Sequence, residues 1–379
     1  MAYRLRRFTK RFFIFSHLVS ALVFLLACLA AFCNPVHYWF IALLGVGFVF
    51  FAVIILGFLI FWLLFRSRWA FLSVAMLVIG VSQIRILFPF HLFTGFKPEK
   101  PAGTLRVLTW NVARFDEMNK VSNGSKNNRL NILQQIGKED ADVVCIQEFF
   151  ESRRSDLFDK NIPYFTDVLK YPYHYFAIDH ITATGVYEHG IAIFSRHPIL
   201  DSFRLRYPGQ STTGTTESLI RVTVDVYGRK LNIFTTHLQS FMFTGNEYRG
   251  LRTIKHAEDK DSVLQAGKGI AKKFRYSYIY RSAQADIVRA LLDRSPYPKI
   301  ICGDFNDIPN SYTYSTIKGD MQDAFVRQGF GLGRTFAFIS PTLRIDYILA
   351  DAGFGVLQCK KAKLPYSDHY PVVADFTLP

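Results

Sequence analysis

The first 88 residues contain no Asp or Glu. A stretch of that length, rich in Phe, Leu, Ile and Val and without a carboxylate, restricts the chain to folds that meet lipid. Residues 12 to 33 (FFIFSHLVSALVFLLACLAAFC) are an apolar run, long enough to cross a hydrocarbon core about 30 Å thick. Residues 38 to 65 form a second and longer run without a charge, which predicts a tilted span. Residues 69 to 90 form a third, interrupted by Gln83 and Arg85; an Arg near the end of a span can reach the interface with its long side chain. The expectation is a membrane anchor over residues 1–92, with three transmembrane helices. A cleaved signal peptide does not fit, because the first run is too long and two more come after it.

Charge sets the expected orientation. Arg4, Arg6, Arg7, Lys10 and Arg11 precede the first run, and Arg66 and Arg68 separate the second from the third. The connection Asn34-Pro35-Val36-His37 carries neither Lys nor Arg. By the positive-inside rule the N-terminus lies in the cytoplasm. Three crossings then put everything after about residue 92 on the extracytoplasmic side of an inner or plasma membrane; two would reverse that conclusion. The lipid bilayer is the one macromolecular partner expected, and nothing marks a protein partner. The anchor holds eight of the 45 Lys and Arg residues, leaving 37 basic against 30 acidic residues in the remainder.

Residues 93–103, with Lys97-Pro98-Glu99-Lys100-Pro101-Ala102-Gly103 at their centre, read as a linker. The remainder, 104–379, is long enough to build one large core. Five cysteines give no disulfide framework, and without CxxC or a Cys/His cluster there is no structural zinc signal.

The soluble part repeats one pattern: a short apolar run of strand character stops at a polar residue of catalytic type. Leu105 to Trp110 leads to Asn111, and Asp142 to Gln147 leads to Glu148. Tyr187-Glu188-His189-Gly190 precedes the strand Ile191 to Arg196. Leu219 to Tyr227 and Lys230 to Thr236 read as a hairpin running into His237. Ile300-Ile301-Cys302 stops at Gly303 and presents Asp304, Phe305, Asn306 and Asp307. In extended backbone Asp304 and Asn306 would point to the same side; Asp307 reads as a turn or cap. Arg344 to Leu349 carries Asp346, and Ser367-Asp368-His369-Tyr370-Pro371-Val372 closes the series. An amphipathic helix is expected near 126–138 and largely helical structure over 246–294. Many strands with few helices between them predict an α+β fold rather than a doubly wound sheet.

Polar groups at strand ends gather along one rim of packed sheets. Asn111, Glu148, Asp304, Asn306, Asp346, Asp368 and His369 would supply mostly oxygen and one imidazole there. Carboxylates brought together repel, and buried unpaired charges are costly. A divalent cation relieves both, and oxygen-rich ligation favours Mg²⁺ or Mn²⁺ over zinc.

The motifs Thr109-Trp110-Asn111, Gln147-Glu148, Thr236-His237-Leu238, Gly303-Asp304-Phe305-Asn306, Ile345-Asp346-Tyr347 and Ser367 to Val372 occur in the order of, and resemble, the endonuclease/exonuclease/phosphatase superfamily. The resemblance covers 104–379. It implies a four-layered α/β sandwich of two packed mixed β-sheets flanked by helices, and a metal-dependent phosphoric ester hydrolase. It also implies that Glu148, Asn111 and Asp368 hold the metal and that His369 pairs with Asp346. Asp304 or His369 would be the general base, with Asn306 orienting Asp304 or the phosphate. His237 would donate to the scissile phosphate or leaving oxygen, with Glu188 as its carboxylate partner.

Three substrate readings are open: a phospholipid headgroup or small phosphoester, which tethering favours; DNA or RNA; and a degenerate module that only binds a phosphorylated ligand. The third conflicts with a full set of site residues. A basic, tyrosine-bearing insert (Arg249, Arg252, Lys255, Lys268, Lys272, Lys273, Arg275, Arg281; Tyr276, Tyr278, Tyr280) suits an anionic membrane surface, a nucleic-acid backbone or a solvated helix face.

Overall fold

The computed structural model describes residues 2–92, 95–119, 128–208, 217–240, 260–338 and 340–379. They form two compact units. One comprises Met1–Leu87, Ser240–Ala285 and Ile308–Thr316; the other comprises Phe88–Gln239, Asp286–Asp307 and Ile317–Pro379.

The second unit holds two six-stranded sheets. Its strands are β1 (Thr104–Asn111), β2 (Val143–Ser152), β3 (Tyr173–Ile181), β4 (Tyr187–Ser195), β5 (Ile199–Arg206), β6 (Ser218–Val226), β7 (Arg229–His237), β8 (Lys299–Asp304), β9 (Gln322–Asp323), β10 (Asp346–Ala350), β11 (Gly355–Lys361) and β12 (Val372–Thr377). The first sheet runs β11-β12-β1-β2-β4-β3 and the second β5-β6-β7-β8-β10-β9. Each is mixed: β1 pairs parallel with β2 and β7 with β8, among antiparallel neighbours. Residues alternating along the strands meet in a core drawn from both sheets, among them Val107, Cys145, Ile193, Val222, Ile233 and Ile348. The outer face of the first sheet is covered by Ile132, Leu133 and Ile136 of the helix Asn128–Glu139 and by Phe149, Phe165 and Phe194. This is the expected two-sheet sandwich flanked by helices.

In the first unit, helix α1 (Ala2–Cys28) continues as one 3-10 turn. Tyr3–Ala31, 29 residues, is long and apolar enough to cross a membrane by itself. The second apolar run is not one straight span. It divides into α2 (Pro35–Val46) and α3 (Phe48–Leu64), bent by 56°. The connection at 34–37 is shorter than expected, since Asn34 caps α2 through Val36 N–H and Pro35 begins it. The third run likewise divides, into α4 (Ala70–Ile79) and α5 (Val81–Leu87), bent by 61°. Contacts fix the helix directions. Phe13 stacks on Phe61 at 4.7 Å, and Phe24 meets Phe48 at 5.2 Å, so α3 returns antiparallel to α1. His17 is fully buried between α1, α3 and α4: Trp62 Nε1 donates to its Nδ1 at 3.0 Å, leaving Nε2 to donate to Ser73 Oγ at 2.9 Å. At the other end Gln83 Nε2 donates to the Cys28 carbonyl at 3.4 Å.

Of the basic insert, 246–259 with Arg249, Arg252 and Lys255 lies outside the described residues, as does the side chain of Lys268. Lys260–Asp293 is one helix. Tyr276 and Tyr280 are exposed on it, but Tyr278 and Arg281 are buried, with Arg281 stacked over Tyr278. Arg281 therefore does not belong to an exposed basic face.

Candidate active site

Strand register assembles one half of the site. In the second sheet β7 and β8 align His237 with Asp304, and β8 and β10 align Asp304 with Asp346. Gly303 permits this close pairing. Its φ is +134°, and a Cβ there would lie 2.1 Å from the Thr236 carbonyl oxygen. In the first sheet β1 ends at Asn111, level with Gln147. Gln147 Nε2 ties the two sheets, donating to Thr109 Oγ1 at 3.1 Å and to Thr235 Oγ1 at 2.8 Å. Glu148 sits where the β2–β4 register slips between Ile146 and Phe149, with φ at +51°. A bulge in the left-handed region redirects this side chain away from strand alternation.

Asp304 is the centre of the assembly and is 1% exposed. Its Oδ2 accepts from Asn111 Nδ2 at 3.1 Å and from Asn306 Nδ2 at 3.3 Å. The Nε2 atoms of His237 and His369 each lie 3.6 Å from the same oxygen. Its Oδ1 accepts from Asn306 N–H at 2.8 Å. Asn306 reaches Asp304 through a turn with φ at +52°, not through extended backbone. Its amide also donates to the Leu238 carbonyl at 2.8 Å. Burial and the nearby charge of Asp346 raise the Asp304 carboxyl to about 6, against the opposing pull of His369 and His237.

His369 pairs with Asp346 as expected, Nδ1 donating to Oδ2 at 2.9 Å. Burial would lower its pKa, but Asp346 and Asp304 outweigh burial and raise it well above the ordinary histidine value. The backbone there is held as well: Trp110 Nε1 donates to the His369 carbonyl at 2.9 Å, and Ser367 Oγ donates to the Asn111 carbonyl at 2.8 Å. Thr335 Oγ1 accepts the N–H groups of Ile345 and Asp346, at 2.9 and 3.1 Å.

Glu148 and Asp368 complete the rim. Burial pushes Glu148 up, but the charges of His237, Arg114 and His369 and the Asn111 amide prevail and hold it below the ordinary glutamate value. Asp368 is raised by burial; His369 opposes that, and the Glu148 charge adds to it. The two acids thus carry a mutual repulsion that a cation relieves. Asn111 turns its nitrogen toward Glu148 at 3.4 Å, while its oxygen accepts from Ala113 N–H at 3.1 Å. Among the described residues, the tight cluster of possible ligand atoms is Asp304, Asp346 and His369, all within 4.8 Å of one another. Hydrogen bonds already close that trio. The oxygens of Glu148 and Asp368 are the better fit to a divalent cation, because an ion there separates no existing imidazole–carboxylate pair.

Glu188 lies elsewhere than expected. It faces Glu151 and Ile181 across neighbouring strands and sits 3.9 Å from Arg153. The further acids whose charge interacts with His237 are Asp179 and Glu217. Asp179 is raised by burial, while Ser218 Oγ, the Arg204 guanidinium and His237 pull it down. Asp307 contributes its backbone carbonyl, which accepts from Tyr347 OH at 2.8 Å. Sequence patterning misses Arg114, which lies 3.5 Å from Glu148. The turn that returns it, at Arg114-Phe115-Asp116, has positive φ throughout and carries no glycine or asparagine to signal it.

No curated protein matches the chain. Among solved structures, it is similar to an endonuclease/exonuclease/phosphatase from Beutenbergia cavernae DSM 12333, with 21% identity, TM-score 0.47, and 73% and 72% of the two chains covered. It is also similar to the human Nocturnin catalytic domain with bound sulfate, with 20% identity, TM-score 0.49, and 72% and 93% covered. D. rerio TDP2 complexed with single strand DNA product gives 16% identity, TM-score 0.47, and 73% and 99% covered. Residues 10–87 match a family model described as a domain of unknown function (DUF8431). The model of the Endonuclease/Exonuclease/phosphatase family matches residues 108–369, well over half of the chain, and the chain belongs to that family.

Proposed function

We propose that the chain is a membrane-anchored, divalent-metal-dependent phosphoester hydrolase acting on a phospholipid headgroup or a small phosphoester. The observation that carries this reading is the convergence on Asp304 Oδ2 of Asn111, Asn306, His237 and His369, between 3.1 and 3.6 Å. An acid poised near 6 and ringed by donors suits proton abstraction from water near neutral pH. Asp346 keeps His369 in its charged form, placing a fixed cation where negative charge builds up on phosphorus oxygens. His237, at the end of the neighbouring strand β7, is available to a phosphate or leaving oxygen. Glu148 and Asp368, with Asn111 beside them, would hold Mg²⁺ or Mn²⁺. When bound, that ion would polarise the phosphoester and neutralise developing charge.

The lipid preference is supported by the apolar helices. Basic residues 4–11 and Arg66 and Arg68 fall at one end of the α1/α3 pair, while Cys28, Ala30 and Gln83 mark the other. Asn310 donates to the Ala27 carbonyl at 3.0 Å, at the end opposite the basic cluster. This supports an N-terminus in the cytoplasm and a catalytic part outside it. The test is a side-by-side assay of the full chain in lipid nanodiscs on phospholipids, inositol phosphates, abasic DNA and plasmid DNA. Turnover on phospholipid or inositol phosphate at least about tenfold above that on either DNA is expected, one decade being some 1.4 kcal/mol of transition-state discrimination. Preference for DNA would replace the lipid reading with a nuclease.

A further inference from the structure

The loop carrying Asp304 and Asn306 runs directly into a segment packed on the apolar helices. Its last residue on the catalytic side, Asp307, is held by Tyr347 OH at 2.8 Å. The next residues, Ile308–Thr316, belong to the same compact unit as α1 to α5. Within that unit Asn310 is 1% exposed and donates from Nδ2 to the Ala27 carbonyl of the last turn of α1, at 3.0 Å. Its backbone is equally close to α2: a Cβ on Gly45 would lie 2.8 Å from the Asn310 carbonyl oxygen and 2.6 Å from Ala30 Cβ. The contact therefore requires glycine at 45. Ser311 stiffens the segment from within, its Oγ donating to the Ile308 carbonyl at 2.7 Å and accepting from Tyr314 N–H at 3.2 Å. Ile308, Ser311, Thr313 and Tyr314 are all buried.

We propose that the apolar helices are a positioning element for the catalytic loop as well as an anchor, with Asn310 and Gly45 as its positioning residues. Tyr347 pins Asp307, and the α1–α2 surface pins Asn310 three residues later. Fixing both sides of so short a stretch removes most of its alternative conformations. Asp304 and Asn306 then keep the geometry that a general base needs, where a displacement of about 1 Å costs on the order of a hundredfold in rate. The helix unit would thereby couple the state of the membrane segment to turnover. This inference rests on the reading of Asp304 as a catalytic residue.

The test compares wild type, Gly45→Leu, Asn310→Ala and Gly57→Leu as full chains in detergent micelles. Gly57 lies in α3, and a Cβ there would meet nothing within 4 Å, so Gly57→Leu controls for bulk in the helices. Amide hydrogen exchange over residues 304–312 should accelerate about tenfold in Gly45→Leu and measurably in Asn310→Ala, with Gly57→Leu at the wild-type rate. On bis(p-nitrophenyl) phosphate with Mg²⁺, kcat should fall about tenfold in Gly45→Leu with KM unchanged. Wild-type exchange over 304–312 in both Gly45→Leu and Asn310→Ala would overturn the proposal, as would a fall in kcat without faster exchange. Should the wild-type chain hydrolyse no phosphoester, the functional reading fails, and the exchange comparison still decides the positioning role.

Discussion

At the scale of single residues, Asp304 is the centre. Four polar side chains and one backbone N–H address its carboxylate, and burial still keeps it near 6. Asp304→Asn and His369→Ala should each reduce kcat by about 10²- to 10⁴-fold while the unfolding transition stays cooperative; circular dichroism melts beside turnover measurements check both parts. His189 gives an independent pH prediction. Burial, with the Arg114 charge adding to it, lowers its pKa to about 4. Between pH 6.5 and 4 the unfolded chain binds a proton at this position and the folded chain does not, so stability rises with pH across that window. His189→Gln should flatten that part of the stability profile, measured as denaturation midpoints across the same window. Every expected site residue except Glu188 lies on a strand or turn of one rim, because each motif places its polar residue where an apolar run stops. Glu188 departs from that rule because β4 is one continuous strand from Tyr187, with Glu188 inside it. Arg114, Asp179 and Glu217 are invisible to patterning, since their positions depend on positive-φ turns and on pairing between distant strands.

At the scale of elements, the apolar runs of the sequence mark β1, β2, β8 and β10 nearly to the residue. Composition cannot show their order in the sheets, which depends on pairings between segments far apart in the chain, such as β1 with β12. That pairing is stapled by a buried ion pair. Arg106 Nε and Nη2 donate to Asp375 at 2.7 and 2.9 Å, and neither residue is more than 1% exposed. Gln358 Nε2 adds a third bond to the carboxylate at 2.6 Å. Asp375→Ala leaves the guanidinium buried without its carboxylate and should cost about 3–5 kcal/mol. Replacing both partners by Met and Leu should recover most of that, as read from urea unfolding of the two variants. The bends at 56° and 61° are equally hidden, since the length of an apolar run limits whether it can span but not its direction.

At the scale of the whole molecule, the anchor, the fold and the rim of polar residues belong to one functional reading. A reporter that is active only in the cytoplasm should stay inactive when fused after Pro379 and be active when fused before Met1; activity at both ends would contradict the proposed crossing. The central claim is metal-dependent phosphoester hydrolysis centred on Asp304. The most direct measurement is hydrolysis of bis(p-nitrophenyl) phosphate by the full chain, stripped of metal and then titrated with Mg²⁺ or Mn²⁺, beside Asp304→Asn. Product is predicted only with added metal, with activity lost in excess EDTA and at least about a hundredfold lower in Asp304→Asn. Hydrolysis that persists in EDTA, or an Asp304→Asn variant as active as wild type, would contradict the claim.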